Sequence, residues 1–307
     1  MRREKPGVFL HGTLLMECGG FLTLGDDKAS YDFGNCGIDG NFVCNCFKSM
    51  VTILFHETVF GPIHSRRLGT SLGINLMPND GKICSFDCLY CEAGYNSQGA
   101  GNAGISSREE VRDCLEEKLS AMKASGDRLD VITFSGNGEP TLHPDFGGVV
   151  DDVIALRDKY YPDVKISVLS NSTMIGRKAV ADALKKVDNN ILKLDSAIDS
   201  TVRLIDRPAN PDFCVKRVVE SLKQFSGQCI IQTMMLRGSH AGERIDNTTD
   251  EEIEALLSAY LEIQPLEVML YSIDRPTPEA DLHKVELEEL NRIAMRFREK
   301  GIKVQVN

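Results

Sequence analysis

No stretch of this chain approaches the run of about 18 uninterrupted apolar residues that crosses a bilayer, so no membrane-spanning helix is expected. A secretory leader is not expected either. The apolar stretch at 8–16 follows a basic start, but His11, Gly12 and Glu17 break the pattern and no small-residue cleavage site follows. A surplus of positive charge is also missing. Against 35 Lys and Arg stand 45 Asp and Glu, a formal net charge of −10. That balance argues against a broad nucleic-acid footprint, because neutralising phosphates takes clustered cations. A local basic patch around Arg66 and Arg67 stays open.

The ten cysteines do not read as a disulfide framework. Three of them form a tight C-x3-C-x2-C triplet, Cys84, Cys88 and Cys91, and oxidation would compete with ligation by their thiolates. A reducing, cytoplasmic setting is therefore expected. No fourth cysteine lies near the triplet. Structural zinc takes a closed tetrahedral shell and cubane clusters usually take four thiolates, so three ligands in one short loop leave an iron open for chemistry. Two plainer readings stand beside this one: a three-Cys zinc site completed by His56, His64 or His143, and three unrelated core thiols.

The triplet, with Tyr90 just before its last Cys, resembles the cluster loop of the radical S-adenosylmethionine (radical SAM) superfamily. The upstream run from Phe60-Gly61-Pro62-Ile63-His64-Ser65-Arg66-Arg67-Leu68-Gly69 on to Ser71-Leu72-Gly73-Ile74-Asn75 is similar to the wyosine-base-synthase-like Fe–S oxidoreductase branch. The resemblance covers residues 51–307. It implies a [4Fe–4S] cluster on Cys84, Cys88 and Cys91, with S-adenosylmethionine on the fourth iron. It further implies reductive cleavage of that cofactor to a 5′-deoxyadenosyl radical, which takes hydrogen from a substrate. The electron would come from a donor such as flavodoxin or ferredoxin. Whether the substrate is a small molecule, RNA or protein stays open. Two alternatives also remain: a wyosine-type enzyme acting on a tRNA guanosine, which the acidic balance weakens, and a non-catalytic zinc or Fe–S binding protein.

Organisation follows from patterning. A length of 307 residues suits one large α/β core. Residues 1–49 are rich in Gly and Asp and carry Cys18, Cys36, Cys44 and Cys46, but show no sustained period of 3.6 or 2, so they are expected to be poorly structured. A second cluster on those thiols, a docking arm, or translation beginning at Met50 are the readings open there. From residue 51 short β-branched runs alternate with long amphipathic stretches. Strands are expected at 72–77, 130–134, 165–169, 191–194, 229–236, 267–272 and 302–305. Helices are expected from Ser106 or Ser107 to Lys123 and at 145–159, 177–187, 211–225, 249–263 and 286–300. Strands joined by helical crossovers give a parallel sheet, here a partial (βα)6 TIM-like barrel over 50–307, with its chemistry at the strands' C-terminal ends.

Those ends nominate the remaining site residues. The strand at 130–134 leads into Ser135-Gly136-Asn137-Gly138-Glu139-Pro140, which resembles the family's Gly-Gly-Glu-Pro motif with an altered first half. Gly136, Gly138, Glu139 and Pro140 are thus expected to meet the cofactor's methionine amino group, with a plain strand-to-helix turn as the alternative. Ser170 and Asn171 are short polar groups suited to ribose hydroxyls or a carboxylate, or to capping the next helix. Asp195, like Lys193, projects from an apolar strand, so it is either a cofactor or substrate ligand or the partner of Lys193 or Arg207. By resemblance Tyr90 joins the cofactor-binding set. Arg237, Tyr271 and Arg275 are expected to face substrate, whereas Cys114, Cys214 and Cys229 read as small core residues.

Overall fold

The computed structural model describes residues 52–65 and 69–307, together with the backbone of two short strands, Leu22–Thr23 (β1) and Ser30–Tyr31 (β2), which pair antiparallel. The chain divides into two units, Met1–Lys48 and Ser49–Asn307. Cys18, Cys36, Cys44, Cys46, Arg66 and Arg67 lie outside the described residues, as does the side chain of His64.

The second unit is one sheet wrapped by helices. Its strands are Val59–Ser65 (β3), Gly69–Ile74 (β4), Val131–Phe134 (β5), Lys165–Ser170 (β6), Asn189–Lys193 (β7), Cys229–His240 (β8), Glu243–Asp246 (β9), Glu267–Ser272 (β10), Leu282–Lys284 (β11) and Val304–Val306 (β12). They run in the order β12-β10-β8-β7-β6-β5-β4-β3, with β9 and β11 pairing the far end of β8. Every neighbour from β4 to β12 on that path is parallel; only β3 is reversed. The crossovers are Arg108–Ser125 (α1), Phe146–Tyr160 (α2), Lys178–Leu184 (α3), Asp199–Ile205 (α4) with Val215–Leu222 (α5), Asp250–Ile263 (α6) and Leu287–Arg298 (α7). Six βα units followed by a last strand make the partial barrel, and its two edges, β3 and β12, stay apart in the pairing.

Local chemistry accounts for the expected helices. Ser107, Asp145 and Thr249 accept from the backbone N–H three residues on, capping α1, α2 and α6. In α1, Val111, Leu115 and Leu119 recur every four residues and are buried as one stripe. In the sheet the period is two: Ile191, Ile230 and Met269 meet on the inner face, while Leu192, Ile231, Val268 and Leu270 join the core beneath the helices.

Of the elements that were not expected, which include β1, β2, β9 and β11, the strand β3 and the helix α4 bear on the site. The edge strand β3 carries Gly61 and Pro62, tolerated there because an edge has one free side and because the pairing with β4 shifts register between Phe60 and Ile63. Helix α4 has only Val202 and Ile205 buried and no side-chain cap, so its seven residues show no readable period. It nonetheless positions the site.

Candidate active site

The cysteine loop follows β4 and is gripped from two sides. On one, Ile83 forms an isolated bridge with Gly138: Ile83 N donates to Asn137 O and Glu139 N to Ile83 O, each at 3.1 Å. On the other, Asp87 N donates to Asp206 O, Leu89 N to Ile205 O and Ala209 N to Ser85 O, all at 2.9 Å. The chain leaving α4 thus pairs with the loop much as a strand would. Within the loop the buried Lys82 donates to Gly94 O at 2.6 Å and lies 3.6 Å from Asp87. Cys88 is buried, and Cys84 and Cys91 are partly so.

Donors converge on two of the three sulfurs. Asn171 Nδ2 lies 3.5 Å from Cys84 Sγ, and Lys193 Nζ lies 3.6 Å from Cys88 Sγ. Burial, then the nearby Glu139, pushes the Cys84 thiol up to about 11, and burial raises Cys88 well above its ordinary value. Without metal both are neutral thiols, so ligation must release their protons. Two of the histidines weighed as a fourth ligand, His56 and His143, have other partners. His143 is buried with Nε2 on Ser106 O and Nδ1 accepting from Asp145 N; His56 Nδ1 meets Asn79 O. Among the described residues no three His, Cys, Asp or Glu side chains are gathered for a single metal ion.

The glycine turn sits against this loop. A Cβ on Gly138 would lie 1.8 Å from Ile83 O, and one on Gly136 would lie 2.5 Å from Asn75 Oδ1. Both also have positive φ, +143°, which L side chains rarely adopt. What comes close at Gly138 is therefore the backbone of the residue before Cys84. Glu139 is 2 % exposed, and its carboxylate accepts from Thr141 N, Thr141 Oγ1, Ser170 Oγ and Asn171 N at 3.0, 2.5, 2.8 and 2.6 Å. Burial raises its pKa while those hydrogen bonds pull it down. Pro140 opens a short 3-10 turn that Glu139 caps. In this structure Glu139 ties the end of β5 to the end of β6, and Asn171 passes the link on to Cys84 and, at 2.9 Å, to Ser85 Oγ.

A second buried network lies beneath Cys88. Asp195 is 1 % exposed and bonds Tyr90 Oη; its other oxygen accepts from Met234 N at 2.9 Å. Lys193 also bonds Tyr90 Oη and stands 3.4 Å from Asp195 and 3.6 Å from Asp206. Burial alone would lower the lysine's pKa, but Asp195, Cys88 and Asp206 more than offset it and the group stays charged. Asp206 accepts from the Cys88 thiol at 3.2 Å; burial and the charge of Asp195 push its carboxyl up to about 8. Of the two partners expected for Asp195, Lys193 is present, whereas Arg207 pairs with Asp87 at 3.4 Å. Sequence reasoning missed Asp206 because no motif marks it and α4, which delivers it, has no periodic signal.

Beside the loop opens a cleft of about 580 Å³. Tyr90, Cys91 and Gly136 line it near the loop; Gln232, Tyr271 and Arg275 line it from the later strands. One wall is apolar, where Phe55 and Phe60 stack at 3.8 Å and Phe60 covers Gly73. Of the three side chains expected to face substrate, Tyr271 and Arg275 line the cleft, and Arg275 bonds Glu92 at its mouth at 2.5 Å. Arg237 does not, because Asp246, Thr248 and Glu289 take its guanidinium. Gln232 had no sequence signal.

A family model described as Radical SAM superfamily matches residues 79–246, from the turn before the cysteine loop to the end of β9. The chain belongs to the radical SAM superfamily. A relative from Methanocaldococcus jannaschii, UPF0026 protein MJ1312, is 31% identical over 245 residues, 78% of this chain and 71% of its own. Of a Brachyspira hyodysenteriae relative named GTPase Obg, 27% identical, the chain spans only 35%. Among solved radical SAM structures, a methyltransferase from Sphaerobacter thermophilus superposes with a TM-score of 0.57 at 15% identity, covering 77% of this chain and 65% of that one. TYW1 with a lysine-pyruvate adduct bound superposes at 0.51 and 15% identity, covering 76% and 75%. These likenesses bear on the fold. Among the described residues no helix is long and apolar enough to cross a membrane.

Proposed function

We propose that this protein is an iron–sulfur enzyme that holds a [4Fe–4S] cluster on Cys84, Cys88 and Cys91 and uses it to cleave S-adenosylmethionine reductively. The observation that carries the reading is one loop with three thiols, gripped on both sides, with nitrogen donors aimed at two of its sulfurs at the edge of a large cleft. Three thiols in one short loop with no fourth cysteine near them in the sequence suit a cluster that leaves one iron open. Bound there, a cluster with one iron open would supply one electron to the cofactor's sulfonium, the S–C5′ bond would break to methionine and a 5′-deoxyadenosyl radical, and that radical would take hydrogen from a substrate.

The chain's own part is placement and exclusion. The β5 turn and the segment after α4 hold the loop's backbone, so the thiols stay in register with the strand ends. Tyr90 and Gly136 line the cleft where S-adenosylmethionine would lie, with Ser135 beside them. Ile191, Met234 and Met269 form an apolar floor that keeps water from reactive carbon. An electron donor of the flavodoxin or ferredoxin class would supply the reduction.

Anaerobic reconstitution followed by assay for 5′-deoxyadenosine tests the reading. The expected result is about four irons per chain and cofactor cleavage, with both lost in Cys88→Ala. Tightly held zinc without iron, or iron content that survives Cys88→Ala, would overturn it.

A further inference from the structure

Two of the three thiols each receive a hydrogen-bond donor from outside the loop. Asn171, at the end of β6, directs Nδ2 to Cys84 Sγ at 3.5 Å. Its orientation is fixed, because Oδ1 accepts from Thr173 N and Thr173 Oγ1 at 3.0 and 2.7 Å, so the face toward sulfur is the N–H face. Lys193, at the end of β7, directs Nζ to Cys88 Sγ at 3.6 Å, its side chain 16 % exposed and its ammonium 4.5 Å from the Tyr90 ring centroid. These contacts join residues 87 and 105 positions apart in sequence, so they arise from the fold and not from the loop itself.

The two contacts differ in kind. An amide N–H is a neutral dipole, whereas the ammonium carries a full charge in a site where few solvent dipoles screen it. Reduction adds one negative charge that is shared by the ligand sulfurs. A donor or cation on those sulfurs stabilises the reduced state more than the oxidised one, which is how outer groups tune a metal centre's potential. Asp195 does not cancel the lysine outright, because Tyr90 Oη and Met234 N also bind that carboxylate.

We propose that Lys193 and Asn171 are positioning residues that set the cluster's reduction potential, Lys193 through its charge on Cys88 and Asn171 through its N–H on Cys84. The inference rests on the cluster assignment above and concerns a property that assignment leaves open. Both residues make the centre easier to reduce by a physiological one-electron donor. Lys193 contributes the larger part.

The test is an EPR-monitored redox titration of the reconstituted protein without S-adenosylmethionine, comparing wild type with Lys193→Gln, Lys193→Arg and Asn171→Asp. Potential is read only from molecules that hold a cluster, so a lower loading yield does not move it. At a fixed potential, Lys193→Gln is expected to hold at least tenfold less reduced cluster relative to oxidised, a shift of about 59 mV to more negative values for a one-electron couple. Lys193→Arg should restore most of it. Asn171→Asp, which keeps the shape but turns a donor into an acceptor, should shift the potential the same way. An unchanged potential in Lys193→Gln and Asn171→Asp overturns the proposal; if Lys193→Gln takes up no iron, an unchanged Asn171→Asp does so alone. A wild-type protein that binds no four-iron cluster overturns the functional reading instead.

Discussion

The strand ends of this barrel fall into two groups that treat their polar side chains in opposite ways. At β5, β6 and β7, Glu139, Ser170, Asn171 and Asp195 are buried and bonded to the chain itself. At β8 and β10, Gln232, Tyr271 and Arg275 line open space, and Gln232 makes no side-chain hydrogen bond among the described residues. The first group builds the seat of the cysteine loop and the second leaves room for whatever enters. A scaffold with one fixed chemistry and an adaptable substrate needs that division.

Substitutions on the committed side should cost most. Gly138→Val puts a Cβ 1.8 Å from Ile83 O at a φ of +143°, and both clash and backbone strain act on the residue before Cys84. The expected outcome is near-complete loss of iron from the reconstituted protein and about 3 kcal/mol of folding stability, measured by iron analysis and denaturant titration. Glu139→Ala comes next. It strands the donors of Thr141, Ser170 and Asn171 in a buried pocket and should cost about 3 kcal/mol, with Asn171 loosened from Cys84. Denaturant titration of the metal-free protein checks it; wild-type stability would mean the carboxylate is not part of the seat.

A pH dependence sharpens the same contrast. In the metal-free protein Asp206 is raised from 3.8 to about 8, first by burial and then by Asp195. A carboxyl whose folded-state pKa lies above its unfolded value stabilises the fold fully below the unfolded pKa and loses that contribution as pH rises to the folded one. Stability should therefore fall between about pH 4 and about pH 8, and Asp206→Asn should flatten that slope in urea titrations across the range. The smallest effects belong to the open side. Gln232→Leu and Arg275→Ala should each change stability by less than about 1 kcal/mol and leave iron content intact, because neither removes a buried bond within the chain. A large loss of iron in either would erase the distinction between the two groups.

Local signals made much of this legible. The spacing of Cys84, Cys88 and Cys91, the period-two strands and the capped helices are all short-range patterns, and they suffice for the barrel and the loop. Gly136 and Gly138 announce themselves as glycines. Their close neighbours do not, since Asn75 and Ile83 are brought there by the sheet. At Glu139 a carboxylate after a strand suggests a ligand, and the fold adds what spacing does not encode: two of its four donors lie at the next strand's end. Lys193 near Cys88, and Arg237 spent on Asp246 and Glu289, are long-range pairings that no spacing encodes.

The grip on the loop bears on how the protein is made. Three backbone bonds from 205–209 close over residues 85–89, and Cys88, at 7 % exposure, lies behind them. If the loop takes a cluster as proposed, iron and sulfide delivered by a carrier would have little access to the Cys88 thiol once that segment has zipped shut. Maturation would then be a race between metal delivery and the docking of a short, weakly encoded helix, with the order of events during biosynthesis mattering as much as affinity. Low urea, enough to undock 199–209 without melting the sheet, should speed reconstitution of a metal-free chain while leaving the final iron content unchanged.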